Sequence, residues 1–408
     1  MKNNSSRARV IQLTVVGAII GAGLWSAPAL AAPQDQALQI HSRITGTIPS
    51  ESVLLDMAED IANGDPASAA YTAMQHDDFY NVTLKNLATP WTNEEQDVFA
   101  PLNDYSATVI GMVRDDMDFR QLLSANILYT GNVSGLPSYS TSNNNHYEAL
   151  EAGGYSLKEN LTRQSQSSLN GLPADATAGV ITSRAAAKAF FSAGTNRAMF
   201  RFTMLNHMCR DMEQVQDSTR SPDRIRQDVS RSPGGDSRVF QNNCVSCHSG
   251  MDPMAQAFAY YDYVYDADND PEGNNGALDY NGAGDTDPET GSRVKAKNHI
   301  NAANFPHGYQ LPDDRWDNYW REGPNLHLGW NSALSGSGNG AKSLGEELAN
   351  SRAFASCQVT KVFRQVCLRD PEDANDRARI EAITNNFSSS GYKLKQVYAD
   401  TAVYCAGD

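Results

Sequence analysis

The 408 residues carry 48 acidic against 33 basic side chains, a formal charge of −15. That balance excludes nucleic acid as an expected partner; an acidic surface of this kind can steer a basic redox partner or simply keep the chain in solution. The length exceeds what one hydrophobic core usually serves, so two or three compact units are expected.

Lys2, Arg7 and Arg9 precede an apolar run from Val10 to Leu24, and Ala29-Leu30-Ala31 supplies small residues suited to cleavage. This is the pattern of a secretory signal over 1–31, too short and too promptly followed by cleavage residues to read as a membrane span. Its removal takes away those three positive charges and leaves a formal charge of −18. No later run has membrane-spanning length, so the expected product is periplasmic or secreted, with no span in the mature chain.

The next stretch reads as helical. Ser50 precedes Val53, Leu54, Met57, Ala58 and Ile61 at helical spacing, and Asn63-Gly64-Asp65-Pro66 stops that run. A second helix is expected from about Ala67. Thr92-Asn93-Glu94-Glu95 has the form of a capping box leading into Asp97-Val98-Phe99, and Leu102 to Val113 continues with a buried stripe. From Gly131 to Thr177 the chain turns polar, a loop-rich excursion. Helical pattern returns behind Thr182 or Ser183 and again over Arg197 to Met212, whose His207, Cys209 and methionines offer a wall for a cofactor pocket.

The chemically specific stretch follows. A helix around Pro222 to Val229, a Ser232-Pro233-Gly234-Gly235 break and a short helix through Phe240 lead into Cys244-Val245-Ser246-Cys247-His248. Cys-x-x-Cys-His is the attachment signal for a c-type haem: each thiol adds to one vinyl group of the porphyrin, and the adjacent imidazole lies where it can bind iron. Cys244 and Cys247 are therefore the expected attachment points for one covalent haem, and His248 its proximal iron ligand. A zinc site would need a second ligand pair at similar spacing, and a thioredoxin-like dithiol would need a βαβ context; neither is present in the flanking sequence. Phe258, Tyr260, Tyr261 and Tyr263 serve equally well as a porphyrin edge or as ordinary core.

Between Asp266 and Glu289 the chain is acidic and rich in Gly and Asn. Asp266, Asp268 and Asp270 open like a calcium loop, but Pro271 and Ala277 stand where an EF-hand needs Gly and Glu. A solvated loop is the expectation, with a calcium site of another type as the lesser alternative. Arg293, Lys295, Lys297 and the indoles of Trp316, Trp320 and Trp330 suit anionic propionates as well as a core. For the distal iron ligand, Met251 and Met254 follow His248 too closely to reach the other ring face. His299, His307 and His327, or Met204, His207, Met208 and Met212, remain. His307, in Phe305-Pro306-His307-Gly308, is favoured because a loop bracketed by Pro and Gly can aim a side chain.

Ser343 or Ser351 caps further helices over Leu344 to Val366. Asp370-Pro371 ends that run, and two more helices carry Ile380 to Phe387 and Leu394 to Val403. The four remaining cysteines are Cys209, Cys357, Cys367 and Cys405, which an exported chain is expected to pair. Cys357 and Cys367 fall on one predicted helix about 15 Å apart at about 1.5 Å per residue, too far for a disulfide. Excluding that pair also excludes Cys209 with Cys405. Of the two surviving connectivities, Cys367 with Cys405 and Cys209 with Cys357 is favoured, because a helical hairpin returns Cys405 to Cys367.

Asp118-Phe119-Arg120-Gln121-Leu122-Leu123, Gly179 to Thr182 leading to Arg201 and Cys209, Cys244 to Asp262, Phe354 to Val359 and Gly391 to Leu394 together resemble a family of exported, uncharacterised bacterial proteins with a c-type cytochrome segment. In that family a helical region, a Cys-x-x-Cys-His followed by Asp-Pro, and a helical C-terminal region occur in this order. Here Met254-Ala255 follows Asp252-Pro253, where the family often has Leu and Gly, so the pocket need not match in detail. The resemblance implies a haem-carrying exported protein. The organisation expected is a signal over 1–31, a helical N-terminal region over 32–220, a haem-binding segment over 221–300 and a helical region over 301–408 completing the haem domain. The fold class is mainly α, with long loops and a cytochrome c-like haem segment. A periplasmic electron carrier with a redox partner protein is expected; the alternative is a haem enzyme, peroxidase-like, or a ligand sensor with an open distal site.

Overall fold

A computed structural model describes residues 32–226, 237–288, 290–299 and 308–407. Helices dominate, and among the described residues the strands form only two-stranded antiparallel ribbons, so the fold is mainly α. The N-terminal helices are α1 (Pro33–Thr45), α2 (Glu51–Ala62), α3 (Pro66–Ala73) and the short α4 (Lys85–Ala88), followed by α5 (Asp104–Arg114). Ser50 caps α2 by accepting from the Val53 amide, and α5 begins with a reciprocal box between Asn103 and Ser106.

The polar excursion is more ordered than its composition suggests. It holds the ribbon of β1 (Leu128–Gly131) with β2 (Leu161–Gln164), in which Leu128 faces Gln164. It also holds α6 (Asn145–Ala152), α7 (Leu157–Asn160) and α8 (Gln166–Asn170). Ser183 caps α9 (Arg184–Phe190), and α10 (Arg197–Met208) ends four residues short of Met212, at Cys209 in the left-handed region (φ 52°).

Next come α11 (Ser237–Asn243), α12 (Val245–Ala255) and the ribbon β3 (Tyr261–Val264) with β4 (Ala277–Tyr280). A third ribbon pairs β5 (Arg315–Asp317) with β6 (Ser337–Asn339) and leads into α13 (Gly340–Ala349), α14 (Arg352–Cys367), α15 (Ala374–Ser389) and α16 (Leu394–Cys405). The two ends of the chain meet: α16 packs on α1, α3 and α14, while α14 also packs on α10, and α10 on α12. A continuous cluster of buried apolar side chains runs from Ala37 to Ala406.

Three helical expectations differ from the structure. After Pro90 a short 3-10 turn ends at Thr92, and the Asn93 side chain closes a loop by accepting the Asp97 amide at 2.8 Å; Phe99 is left 87% exposed. Pro222 to Ile225 makes a single turn, the Ile225 amide bonding the Pro222 carbonyl at 3.4 Å, and Arg226 then enters a parallel bridge with Tyr309, whose amide donates to the Ile225 carbonyl at 2.7 Å, a long-range bond that local pattern cannot reveal; the remainder of that expected helix and the Gly234-Gly235 break lie outside the described residues. Ser343 sits within α13, where it accepts the Trp316 indole N–H at 2.8 Å.

The four spare cysteines pair as favoured. Cys209 bonds Cys357 with Cα atoms 5.3 Å apart, and Cys367 bonds Cys405 at 5.5 Å, so α14 is tied to the end of α10 and to the end of α16. Among the described residues no helix is long and apolar enough to cross a membrane.

Candidate haem-attachment site

Cys244 is the joint between two helices. Its amide closes α11 on the Phe240 carbonyl at 2.9 Å, and its own carbonyl accepts the amides of Cys247 and His248, both at 3.2 Å, opening α12. Both thiols and the imidazole thus project from one turn. Neither thiol is bonded to another sulfur, although all four other cysteines are.

Burial pushes the Cys247 thiol up, with its sulfur 3.5 Å from the Met212 carbonyl oxygen. A dithiol that works through a thiolate needs the opposite shift. Among the described residues no group of three or more His, Cys, Asp or Glu side chains could hold a metal ion.

His248 is held from two sides. The Phe240 ring meets it edge-on at 4.9 Å, and its Nδ1–H donates to Asp252 Oδ1 at 3.0 Å, one helical turn further along α12. With Nδ1 carrying the proton, Nε2 presents its lone pair and makes no hydrogen bond to the described residues. Asp252 is buried and gripped by both faces of the Arg197 fork, Nε to Oδ1 at 2.7 Å and Nη2 to Oδ2 at 2.8 Å. Burial alone would raise that carboxyl; the Arg197 guanidinium and His248 outweigh it and hold it well below the usual carboxylate range. Arg197 is itself fixed by donating to Thr195 Oγ1 at 3.0 Å.

The opposite side of α12 rests on an indole. A Cβ on Gly250 would fall 1.9 Å from Trp320 Nε1, so only glycine lets the fully buried Trp320 lie against the helix backbone. Two residues beyond His248, that position points away from the imidazole. Ser249 adds a bond to the Asp217 carbonyl at 3.0 Å.

These residues fit a covalent haem by their donor set: two free thiols and an imidazole whose second nitrogen is already engaged. His307, the favoured distal ligand, lies outside the described residues. The other candidate histidines each engage one ring nitrogen. His207 is a core residue: its Nε2 meets the Tyr105 hydroxyl at 2.6 Å among Trp91 and Phe354, and burial holds it well below its ordinary value. His299 Nε2 donates to the Leu311 carbonyl at 3.2 Å, and His327 donates to the Pro324 carbonyl at 2.6 Å. Met204, Met208, Met251 and Met254 are buried, Met208 accepting from Ser351 at 3.2 Å.

The tyrosines after α12 pack the body of the protein. Tyr261 donates to Ala176 O and Tyr263 to Gly273 O, each at 2.6 Å, and Arg293 covers Tyr260 at 4.1 Å. Lys297 pairs with Asp262, and Lys295 with Asp279. In the acidic loop, Asp266 accepts from Asn269 and Asp270 from Asn275, so these carboxylates close their own turns. Two cavities, about 760 and 550 Å³, lie elsewhere: one between α5, α6 and α9 around Asn103, Asn145 and Arg184, the other over the Cys209–Cys357 bond.

Fold and site together define a mainly helical chain, tied by two disulfides, that presents Cys-x-x-Cys-His on the first turn of a helix. Comparison with protein-family models, with curated proteins and with solved structures found no match.

Proposed function

We propose that this protein is an exported c-type cytochrome that carries one covalent haem on Cys244 and Cys247 and passes electrons in the periplasm. The observation that carries the reading is the single helical turn holding two unpaired thiols beside His248, whose Nδ1 is anchored and whose Nε2 is available. Each S–H adds across one vinyl C=C, forming a C–S bond and placing the hydrogen on the other vinyl carbon, so attachment needs no oxidant. Bound there, a haem supplies one-electron Fe(III)/Fe(II) chemistry. His248 would supply the imidazole that holds the iron, with Asp252 fixing that ring and Phe240 limiting its rotation. The two disulfides support an oxidising compartment, and the acidic surface supports a basic partner.

Acid-acetone extraction tests the reading: the haem should stay with the wild-type chain and be lost entirely from Cys244→Ala/Cys247→Ala. Intact haem released from the wild type sinks it. A second reading, a haem enzyme or sensor with an open distal position, is favoured by the charged Asp252 partner, which makes a strongly donating proximal imidazole. Prompt carbon monoxide binding by the reduced protein would select it; a low-spin spectrum unchanged by carbon monoxide selects the carrier.

A further inference from the structure

We propose that Asp252, locked by Arg197, is a positioning residue that makes His248 an unusually strong electron donor to iron and thereby holds the haem at low potential. This rests on the reading of His248 as an axial ligand. The acceptor of an axial imidazole N–H decides how much negative charge that ring carries: a backbone carbonyl offers a partial charge, a carboxylate a full one. Here the acceptor is a carboxylate with no exposed side-chain surface, so water does not weaken the bond. Nor can it turn away. Oδ1 accepts from both His248 and Arg197, while Oδ2 accepts from Arg197 at 2.8 Å and lies 3.4 Å from the Arg226 amide.

A more anionic imidazole favours Fe(III) over Fe(II), which lowers the potential. Arg197 opposes this by drawing on the same carboxylate. The pair is therefore a two-part setting, in which Asp252 lowers the potential and Arg197 limits how far.

The test compares Asp252→Asn with the double variant Arg197→Gln/Asp252→Asn, each loaded with haem, by redox titration. Removing a partner of a metal-bound histidine typically changes metal affinity about 10- to 100-fold. If that loss falls on Fe(III), Asp252→Asn raises the midpoint potential by about 60 to 120 mV at 59 mV per tenfold for one electron. The double variant removes one charge of each sign, largely cancelling the change in through-space field, and leaves two amides able to bond each other. It should fold even where the single variant sets Arg197 against a neutral amide, and should keep most of the upward shift.

A double variant at the wild-type potential overturns the proposal, because only the field would then have mattered. So does an unchanged potential in Asp252→Asn. Wild-type protein with no haemochrome band after extraction overturns the haem reading itself and this inference with it. A retained band with unmoved potentials overturns this inference alone.

Discussion

The six cysteines divide between two regions that handle sulfur in opposite ways. On the C-terminal helices, Cys357, Cys367 and Cys405 are buried, each bonded to a cysteine on another segment, and Cys367 and Cys405 belong to the main apolar core. On α12 the two thiols share one turn, are half-buried and have no bonded sulfur, and the helix is held largely by polar anchors and one indole. The first region is fastened by covalent closure. In the second, polar anchors fix the backbone and the imidazole while both sulfurs stay outside any disulfide.

Removing each pair of sulfurs should break this comparison cleanly. The Cys209–Cys357 bond closes a separation of 148 residues, and its loss should cost about 5 kcal/mol in the loop-entropy picture. The Cys367–Cys405 bond spans 38 residues and should cost about 4 kcal/mol. Cys244→Ala/Cys247→Ala in the haem-free chain should change stability by less than about 1 kcal/mol, since the thiols make no disulfide and only partial burial is lost. Urea unfolding of the three double variants measures all of this. A haem-free Cys244→Ala/Cys247→Ala chain destabilised as much as the others would mean that the motif sulfurs are structural.

The pairing was legible because one local argument sufficed. Cys357 and Cys367 lie on one helix, and exclusion of that bond left two arrangements. Caps at Ser50, Ser183 and Ser351 were legible for the same reason, each bonding three residues ahead. Where local signal misled, a side chain or a distant segment intervened: Asn93 closing a turn behind Pro90, and Tyr309 bonding the Ile225 carbonyl and bridging Arg226. In the site itself, His248 and Asp252 stand at helical spacing and their contact was readable in principle. Arg197 was not, because its place depends on α10 packing against α12 across 55 residues of sequence.

The indole behind α12 sharpens the contrast by a smaller effect. Gly250→Ala places a methyl group 1.9 Å from Trp320 Nε1 and 2.3 Å from Cε2, and Trp320 is enclosed against Phe200. Overpacking of this kind typically costs about 1 to 3 kcal/mol. The expected outcome is a lower unfolding midpoint with the four disulfide cysteines still paired, because the disturbance stays on the side of α12. An unchanged midpoint would mean that Trp320 moves freely and does not seat the helix.

The last difference concerns charge drawn into the protein, fully buried at Asp252 and half-buried at Lys361. On α12 the charge is paired, Asp252 with Arg197; on α14 it is not, because Lys361 lies over Trp91 at 4.3 Å and donates to the Asn206 carbonyl at 2.5 Å, with no carboxylate partner among the described residues. Burial, aided by Arg364, lowers the Lys361 amine to about 7. Unfolded, the same amine titrates near its ordinary value of about 10.4. Between those values the unfolded chain holds a proton that the folded chain lacks, so stability rises with pH across this window and the penalty is complete below the lower value. The slope is at most about 1.4 kcal/mol per pH unit. Thermal melts from pH 7 to 9 should therefore rise in the wild type relative to Lys361→Met, which keeps the stem and removes the titration. Parallel curves for the two proteins would show that Lys361 does not carry the charge penalty assigned to it.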